Sequence, residues 1–145
     1  MKITKTVYEE IRATLGTLVP ERGGVLGSRD GETVDAFFFD ESGAGTPDAY
    51  TPDHERINGM LEREWEPAGI GMVGMIHSHR PTCTFPSCGD LFYAHAILHA
   101  APALQTLRLP IVTAEPFRIH AYAVSLRDGR PYVCREEVEI VPDAV

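Results

Sequence analysis

The sequence contains no hydrophobic run long enough to cross a membrane. A transmembrane helix needs about 20 consecutive, mostly apolar residues, and the apolar stretches of this 145-residue chain are far shorter. The first residues, Met1 to Lys5, lead into an amphipathic pattern rather than into a secretory signal. We therefore expect a cytoplasmic protein with no membrane partner.

Cysteine is scarce as well. The chain has three, Cys83, Cys88 and Cys134. An odd number without an export signal indicates reduced thiols rather than a disulfide framework. Cys134 lies in a late strand segment, where we expect it to contribute to packing.

Clustered positive charge is also lacking. The chain carries 13 Lys and Arg against 21 Asp and Glu, a net charge of −8, and the basic residues are scattered. Because a nucleic-acid surface needs a clustered basic face, no nucleic-acid partner is expected. An acidic surface would instead suit a basic peptide tail.

Repeats and low-complexity tracts are not found, and the composition is that of an ordinary globular protein, 43% hydrophobic and 23% charged. A chain of this length buries roughly two thirds of its unfolded surface and folds without disulfides or structural metals. We expect one domain over residues 1–145.

Hydrophobic periodicity predicts alternating helices and strands. Helices are expected over residues 4–18, ended by Pro20, then 53–65 and 87–99. Strands are expected over residues 25–28, 33–39, 70–76, 109–113, 117–124 and 131–140. Residues 41–52, rich in glycine and proline, predict a mobile loop that could line a cleft. The order of elements predicts an α/β layered domain, with a mixed central sheet flanked by helices.

A metal-binding pattern lies at the end of the third of these strands. His77, Ser78 and His79 end the strand, and Ser87 and Asp90 come after seven intervening residues. Side chains two apart in a strand point to the same face, so both imidazoles can reach one cation, and Asp90 supplies an oxygen. Two histidines and a carboxylate are the ligands of a catalytic Zn²⁺, which keeps its fourth position open. The pattern predicts a zinc-dependent hydrolase.

The whole arrangement resembles the JAMM (MPN+) metalloprotease family. That family has an early glutamate, then His-x-His, seven residues, Ser, two residues and Asp, and Glu21 matches the glutamate in the segment 21–27. The resemblance covers roughly Ile3 to Val124, with motif identity confined to residues 21–27 and 74–90. It implies the MPN fold, a layered α/β fold of the cytidine-deaminase-like kind.

The resemblance also implies roles for the motif residues. His77, His79 and Asp90 would hold the zinc, Glu21 would act as general base, and Ser87 would donate a hydrogen bond to the oxyanion. The implied substrate is an amide bond at the C-terminus of a ubiquitin-like or sulfur-carrier-like protein. Alternatives are a peptidase acting on short cell-wall or phage-tail peptides, and a non-catalytic scaffold. A nuclease of the RadC-like branch is disfavoured by the acidic charge.

Two residues depart from the family pattern. Arg80 stands where relatives have proline, so it is a candidate substrate-binding residue, and Ser28 replaces a second glycine. The pattern also has a competing interpretation, in which Cys83 and Cys88 are zinc ligands. Together with His77 and His79 they would close the coordination sphere and leave Glu21 and Asp90 without a role.

The other histidines are assigned no role. We expect them to be solvated or structurally satisfied; they are His54, His95, His99 and His120. Nothing in the sequence indicates an oligomeric state.

Overall fold

The computed structural model describes residues 1–17, 21–47 and 49–144. The helices are α1 (Lys5–Leu15), α2 (His54–Met60) and α3 (Cys88–Ala100), and a π-helical turn, Leu61–Trp65, continues α2. The first six strands are β1 (Lys2–Thr4), β2 (Gly23–Ser28), β3 (Thr33–Val34), β4 (Ala36–Phe39), β5 (Ala44–Gly45) and β6 (Tyr50–Thr51). The others are β7 (Gly71–Ser78), β8 (Leu107–Arg108), β9 (Ile111–Thr113), β10 (Arg118–Arg127), β11 (Arg130–Glu136) and β12 (Glu139–Val141).

The main sheet is mixed, as predicted. Its strand order is β11-β10-β8-β7-β2-β4, and β9 bridges β10 and β7. The strand β7 is central: it runs antiparallel to β2 and parallel to β8 and β9. A small parallel sheet, β12-β1-β3, lies apart from it.

Helices cover both faces of the main sheet, which confirms the layered α/β architecture. On one face α1 buries Val7, Ile11 and Leu15 against Leu26 and neighbouring apolar residues. The other face carries a second cluster, contributed by the α2 region, α3 and the sheet: Ile57, Met60, Trp65, Ala94, Leu98, Val25 and Met75. Successive residues of β2 point to opposite sides, so Val25 and Leu26 belong to different clusters.

Several element predictions need correction. The loop 41–52 contains the β5–β6 pair, because Tyr50 opposite Gly45 forms a short ladder despite the surrounding glycines and prolines. The predicted strands 33–39 and 131–140 are each interrupted, and β1 was not predicted. The first helix ends at Leu15, and Leu18 and Pro20 lie outside the described residues. Cys134 is exposed on the edge strand β11, so its expected packing role is wrong.

Membrane-spanning helices are not found in the described part of the chain, since none of its helices has the length and apolar character required.

Candidate metal centre

Both histidines lie at the C-terminal end of β7, inside the main sheet. His77 pairs with Gly23 of β2 on one side and with Ile111 of β9 on the other. His79 follows the last strand residue, yet its N–H donates to the Val112 carbonyl at 2.8 Å. The extended alternation therefore continues past the strand end, and the two imidazoles share one face.

The third candidate ligand comes from the first turn of α3. Ser87 caps the helix: its Oγ accepts from the Asp90 N–H at 3.1 Å, and its own N–H donates to Asp90 Oδ2 at 2.7 Å. This reciprocal capping box fixes the Asp90 side chain. The carboxylate then meets both histidines, with Oδ1 3.1 Å from His77 Nε2 and Oδ2 3.2 Å from His79 Nε2.

These three side chains fit a zinc ion. Their ligand atoms lie within 4.8 Å of one another, and the two Nε2 atoms are 2.8 Å apart. In a tetrahedral site with bonds of about 2.0–2.2 Å, ligand atoms lie about 3.3 Å apart, slightly more than the separations of 2.8, 3.1 and 3.2 Å found here. Two imidazole nitrogens and a carboxylate oxygen also suit Zn²⁺ chemically.

A further contact orients His79. Its Nδ1 lies 3.1 Å from the Cys83 carbonyl oxygen, which can only accept, so Nδ1 carries a proton and Nε2 is the nitrogen that would bind an ion. Burial lowers the pKa of His79, but the hydrogen bond and charge of Asp90, together with the charge of Glu21, raise it overall. Burial likewise raises the pKa of Asp90, and its hydrogen bonds with His77 and His79 outweigh that effect and hold the pKa well below its usual range.

The structure brings Glu21 and Ser87 to the same cleft as the three ligands. Glu21 is buried, with 8% of its surface exposed, and its N–H donates to the Thr46 carbonyl at 2.9 Å. Its charge contributes to the raised pKa of His79, and both side chains line the same cleft. Arg80 is exposed and also lines the cleft, and its Nε donates to the Pro47 carbonyl at 3.3 Å.

A tyrosine that the sequence analysis missed supports His77. The Tyr50 ring stacks on the imidazole with a centroid distance of 6.3 Å and an interplanar angle of 20°. Its hydroxyl donates to Asp40 Oδ2 at 2.5 Å, and Asp40, only 2% exposed, also accepts from the Asp53 N–H at 2.9 Å. Burial, and then the hydrogen bond to Asp40, raise the pKa of Tyr50, so the phenol stays protonated.

Gly23 makes room for this tyrosine. A Cβ atom at Gly23 would lie 2.3 Å from Tyr50 Cε1. The only local hints in the sequence were an aromatic residue in the loop 41–52 and a glycine pair after Glu21, and neither reveals that the two segments meet.

The cleft has a volume of about 720 Å³. Its apolar wall includes Met75, Leu109 and Phe85. Phe85 is 55% exposed and packs edge-on against Tyr122 at 5.2 Å. The loop 41–52 also lines the cleft, through Ala49, Tyr50 and Pro52, which confirms that expectation.

Among the described residues, the group of His, Cys, Asp and Glu side chains that could hold a metal ion is His77, His79 and Asp90. Cys83 and Cys88 are exposed and are not part of it. The histidines without an assigned role have other contacts: His54 with the Tyr93 hydroxyl at 3.0 Å, His120 with Thr113 Oγ1 at 2.9 Å, His95 with the Gly129 carbonyl at 3.1 Å, and His99 stacked on His95.

Comparison with known proteins identifies the fold. No protein-family model matches the chain, and no curated protein matches it. Among solved structures, a protein of Desulfitobacterium hafniense is 24% identical with a TM-score of 0.70, covering 98% of this chain and 93% of that one. A JAB1/MPN domain protein from Archaeoglobus fulgidus is 19% identical with a TM-score of 0.55, covering 97% of this chain and 96% of that one. The chain therefore has the MPN fold that its motif implied, with a His/His/Asp group that could hold a metal ion.

Proposed function

We propose that this protein is a JAMM-type zinc metallopeptidase that acts in the cytoplasm. Its substrate would be an amide bond at the C-terminus of a ubiquitin-like or sulfur-carrier-like protein. The observation that carries the proposal is the meeting of His77, His79 and Asp90 in a cleft that Glu21 and Ser87 also line, within an MPN fold.

His77, His79 and Asp90 would hold the ion, and a bound zinc would supply Lewis acidity, which lowers the pKa of water to about 7. Glu21 would accept the proton of the attacking water and then deliver it to the departing amine. Its burial in the cleft with the histidines suits this role, because exclusion of water limits loss of the transferred proton to bulk solvent.

Ser87 would stabilise the developing oxyanion. Its Oγ uses one lone pair to accept from the Asp90 N–H, and this leaves the hydroxyl proton free to be donated. One such donor typically contributes about 10²–10³ in kcat. The capping box holds the hydroxyl in place at the helix start, so no reorganisation is needed during the reaction.

The cleft would hold an extended tail. Its apolar wall at Met75, Phe85 and Leu109 would exclude water from the scissile bond, and Arg80 would contact the substrate at the exposed side. We infer this contact because the Arg80 side chain lines the cleft and is accessible to a bound tail.

The direct test is cleavage of fusion proteins. Zinc-loaded protein is incubated with ubiquitin-like and sulfur-carrier-like fusions and with short peptides, and mass spectrometry follows release at the C-terminal diglycine. We expect cleavage of a fusion. Stoichiometric zinc without cleavage of any fusion would defeat the substrate assignment, and cleavage of short peptides alone would favour the cell-wall or phage-tail alternative.

Variants separate the roles of ligand and base. Glu21→Gln should keep zinc but lose at least about 10² of turnover, whereas His77→Ala and Asp90→Ala should lose the metal too. His99→Ala, on the exposed side of α3, is the matched control and should behave as the parent protein. Full activity in Glu21→Gln would remove the proposed base, and absence of zinc after reconstitution of the parent protein would favour the scaffold alternative.

A further inference from the structure

A notch opens at the edge of the main sheet where β11 ends before its neighbour does. The last residue of β11, Glu136, pairs with Ala121, but β10 begins three residues earlier at Arg118. After Glu136 the chain leaves this sheet and pairs with β1 as β12. The resulting notch has a volume of about 340 Å³ and is lined by Tyr8, Phe117, Arg118, Ile119, His120, Arg135, Val138 and Ile140.

The backbone of Ile119 faces this notch. The two-residue turn Asp128-Gly129 makes Arg127 and Arg130 a hydrogen-bonded pair, so odd-numbered residues of β10 direct their N–H and C=O toward β11. The even-numbered residues face the other way, as the bond from the Leu109 N–H to the Tyr122 carbonyl at 2.8 Å shows. Ile119 pairs only with Val112 of β9, so its donor and acceptor point into the notch without a backbone partner in the described chain.

Three basic side chains surround the same notch. Arg118 and His120 are two residues apart on one face of β10, and Arg135 lies opposite Tyr122 on that face. All three line the notch, and burial, followed by the charges of Arg135 and Arg118, lowers the pKa of His120. Neither arginine forms an ion pair with a described residue. The basic residues are therefore not uniformly scattered: in a protein of net charge −8, two arginines without an ion pair to a described residue line one notch.

The opposite face of the notch is apolar. Phe117 packs edge-on against Tyr8 at 5.5 Å, and Ile140 is 49% exposed. An extended peptide that lies along β10 would point alternate side chains to these two faces. Acidic side chains would meet the arginines, and apolar side chains would meet Phe117 and Ile140.

We propose that this notch binds an extended segment of a partner protein in which acidic and apolar residues alternate. The segment adds a short strand beside Arg118, Ile119 and His120 by bonding to the free backbone groups of Ile119. Charge complementarity selects an acidic partner over a basic one. The proposal does not depend on the metal centre or its chemistry.

The notch lies near enough to the cleft to serve the same partner. His77, Ile111 and His120 are in register on three neighbouring strands. Because adjacent strands are about 4.8 Å apart, the open strand position beyond β10 lies three spacings, roughly 14 Å, from the His77 backbone. A protein with its tail in the cleft could occupy both.

The test uses the isotopically labelled chain of residues 1–145 and a capped hexapeptide that alternates glutamate and valine. Addition of the peptide should shift the amide resonance of Ile119 in NMR spectra, and the affinity should fall as salt rises. The double variant Arg118→Ala/Arg135→Ala should weaken binding at least about 10-fold. Arg130→Ala, an exposed arginine on the same β11 strand but at the hairpin end, should leave it unchanged.

Control ligands make the proposal falsifiable. A hexapeptide alternating lysine and valine should not bind, and methylation of the backbone nitrogens of the acidic peptide should abolish binding. The proposal is overturned if millimolar acidic peptide leaves the Ile119 resonance unmoved, if the lysine peptide binds equally well, or if the double variant binds like the parent. It is also overturned if inorganic phosphate binds as tightly as the peptide, since the site would then recognise charge alone.

Discussion

Removing the Tyr50 hydroxyl tests how the wall beside the metal centre is built. In Tyr50→Phe the ring that stacks on His77 remains, and the hydrogen bond to Asp40 is lost. Asp40 is 2% exposed, and its Oδ1 has no hydrogen-bond partner in the described structure, so the carboxylate would depend on the Asp53 N–H alone.

The expected cost follows from this environment. A hydrogen bond to a charged group contributes about 1.5–3 kcal/mol, and loss of the donor also leaves the acceptor buried without compensation. We therefore expect the free energy of unfolding to fall by about 2 kcal/mol. For a chain of this size that corresponds to a decrease in Tm of roughly 4–8 °C.

Urea denaturation of the metal-free protein measures the effect directly. The matched control is Tyr132→Phe, since Tyr132 is 41% exposed and its ring lies beneath the Arg127 guanidinium at 3.5 Å. The control should change stability by less than about 0.5 kcal/mol. An equally small change in Tyr50→Phe would refute the reasoning, because it would mean that the bond to Asp40 contributes nothing net.

Three further predictions follow from the site and its surroundings. Ser87→Ala should lower stability by about 1 kcal/mol through the lost cap and slow turnover by about 10²; urea denaturation and kcat measure the two effects separately. Asp30 has a pKa of about 2, below its usual 3.8, because backbone N–H groups donate to it. Its stabilising contribution is therefore present above pH 4 or so, is lost as the pH falls toward 2, and should be missing from the pH–stability curve of Asp30→Asn. Gly23→Ala should cost about 1–3 kcal/mol by displacing Tyr50, and should weaken zinc binding, whereas Gly71→Ala, whose Cβ meets nothing closer than 3.7 Å, should do neither.

The sequence predicted those parts of the site that depend on local periodicity. The alternation of a strand placed His77 and His79 on one face, and the spacing of a capping box placed Asp90 at a helix start. Both rules relate residues that are close in sequence within one element, so they apply once β7 and α3 form. The layered α/β fold followed for the same reason, since the order of helices and strands restricts the possible architectures.

Features created by distant segments were not predictable in this way. Tyr50 stacks on His77 across 27 positions of sequence, and it can do so because Gly23 has no Cβ in its way. The β5–β6 pair is two residues long on each side, too short for a periodic signal. The sheet-edge notch depends on where β11 ends relative to β10. That position is set by the pairing of the two strands and cannot be read from the sequence of either strand alone.

The capping box at Ser87 and Asp90 couples a fold element to ion affinity. The same carboxylate that closes the first turn of α3 also meets both imidazoles, so fraying of that turn would withdraw an oxygen from the cluster. By thermodynamic reciprocity, a cation held there would make the helix start harder to open. The ion would then dissociate at the rate at which this helix turn opens locally. The amide-exchange rate of the turn would therefore measure how strongly the ion is bound.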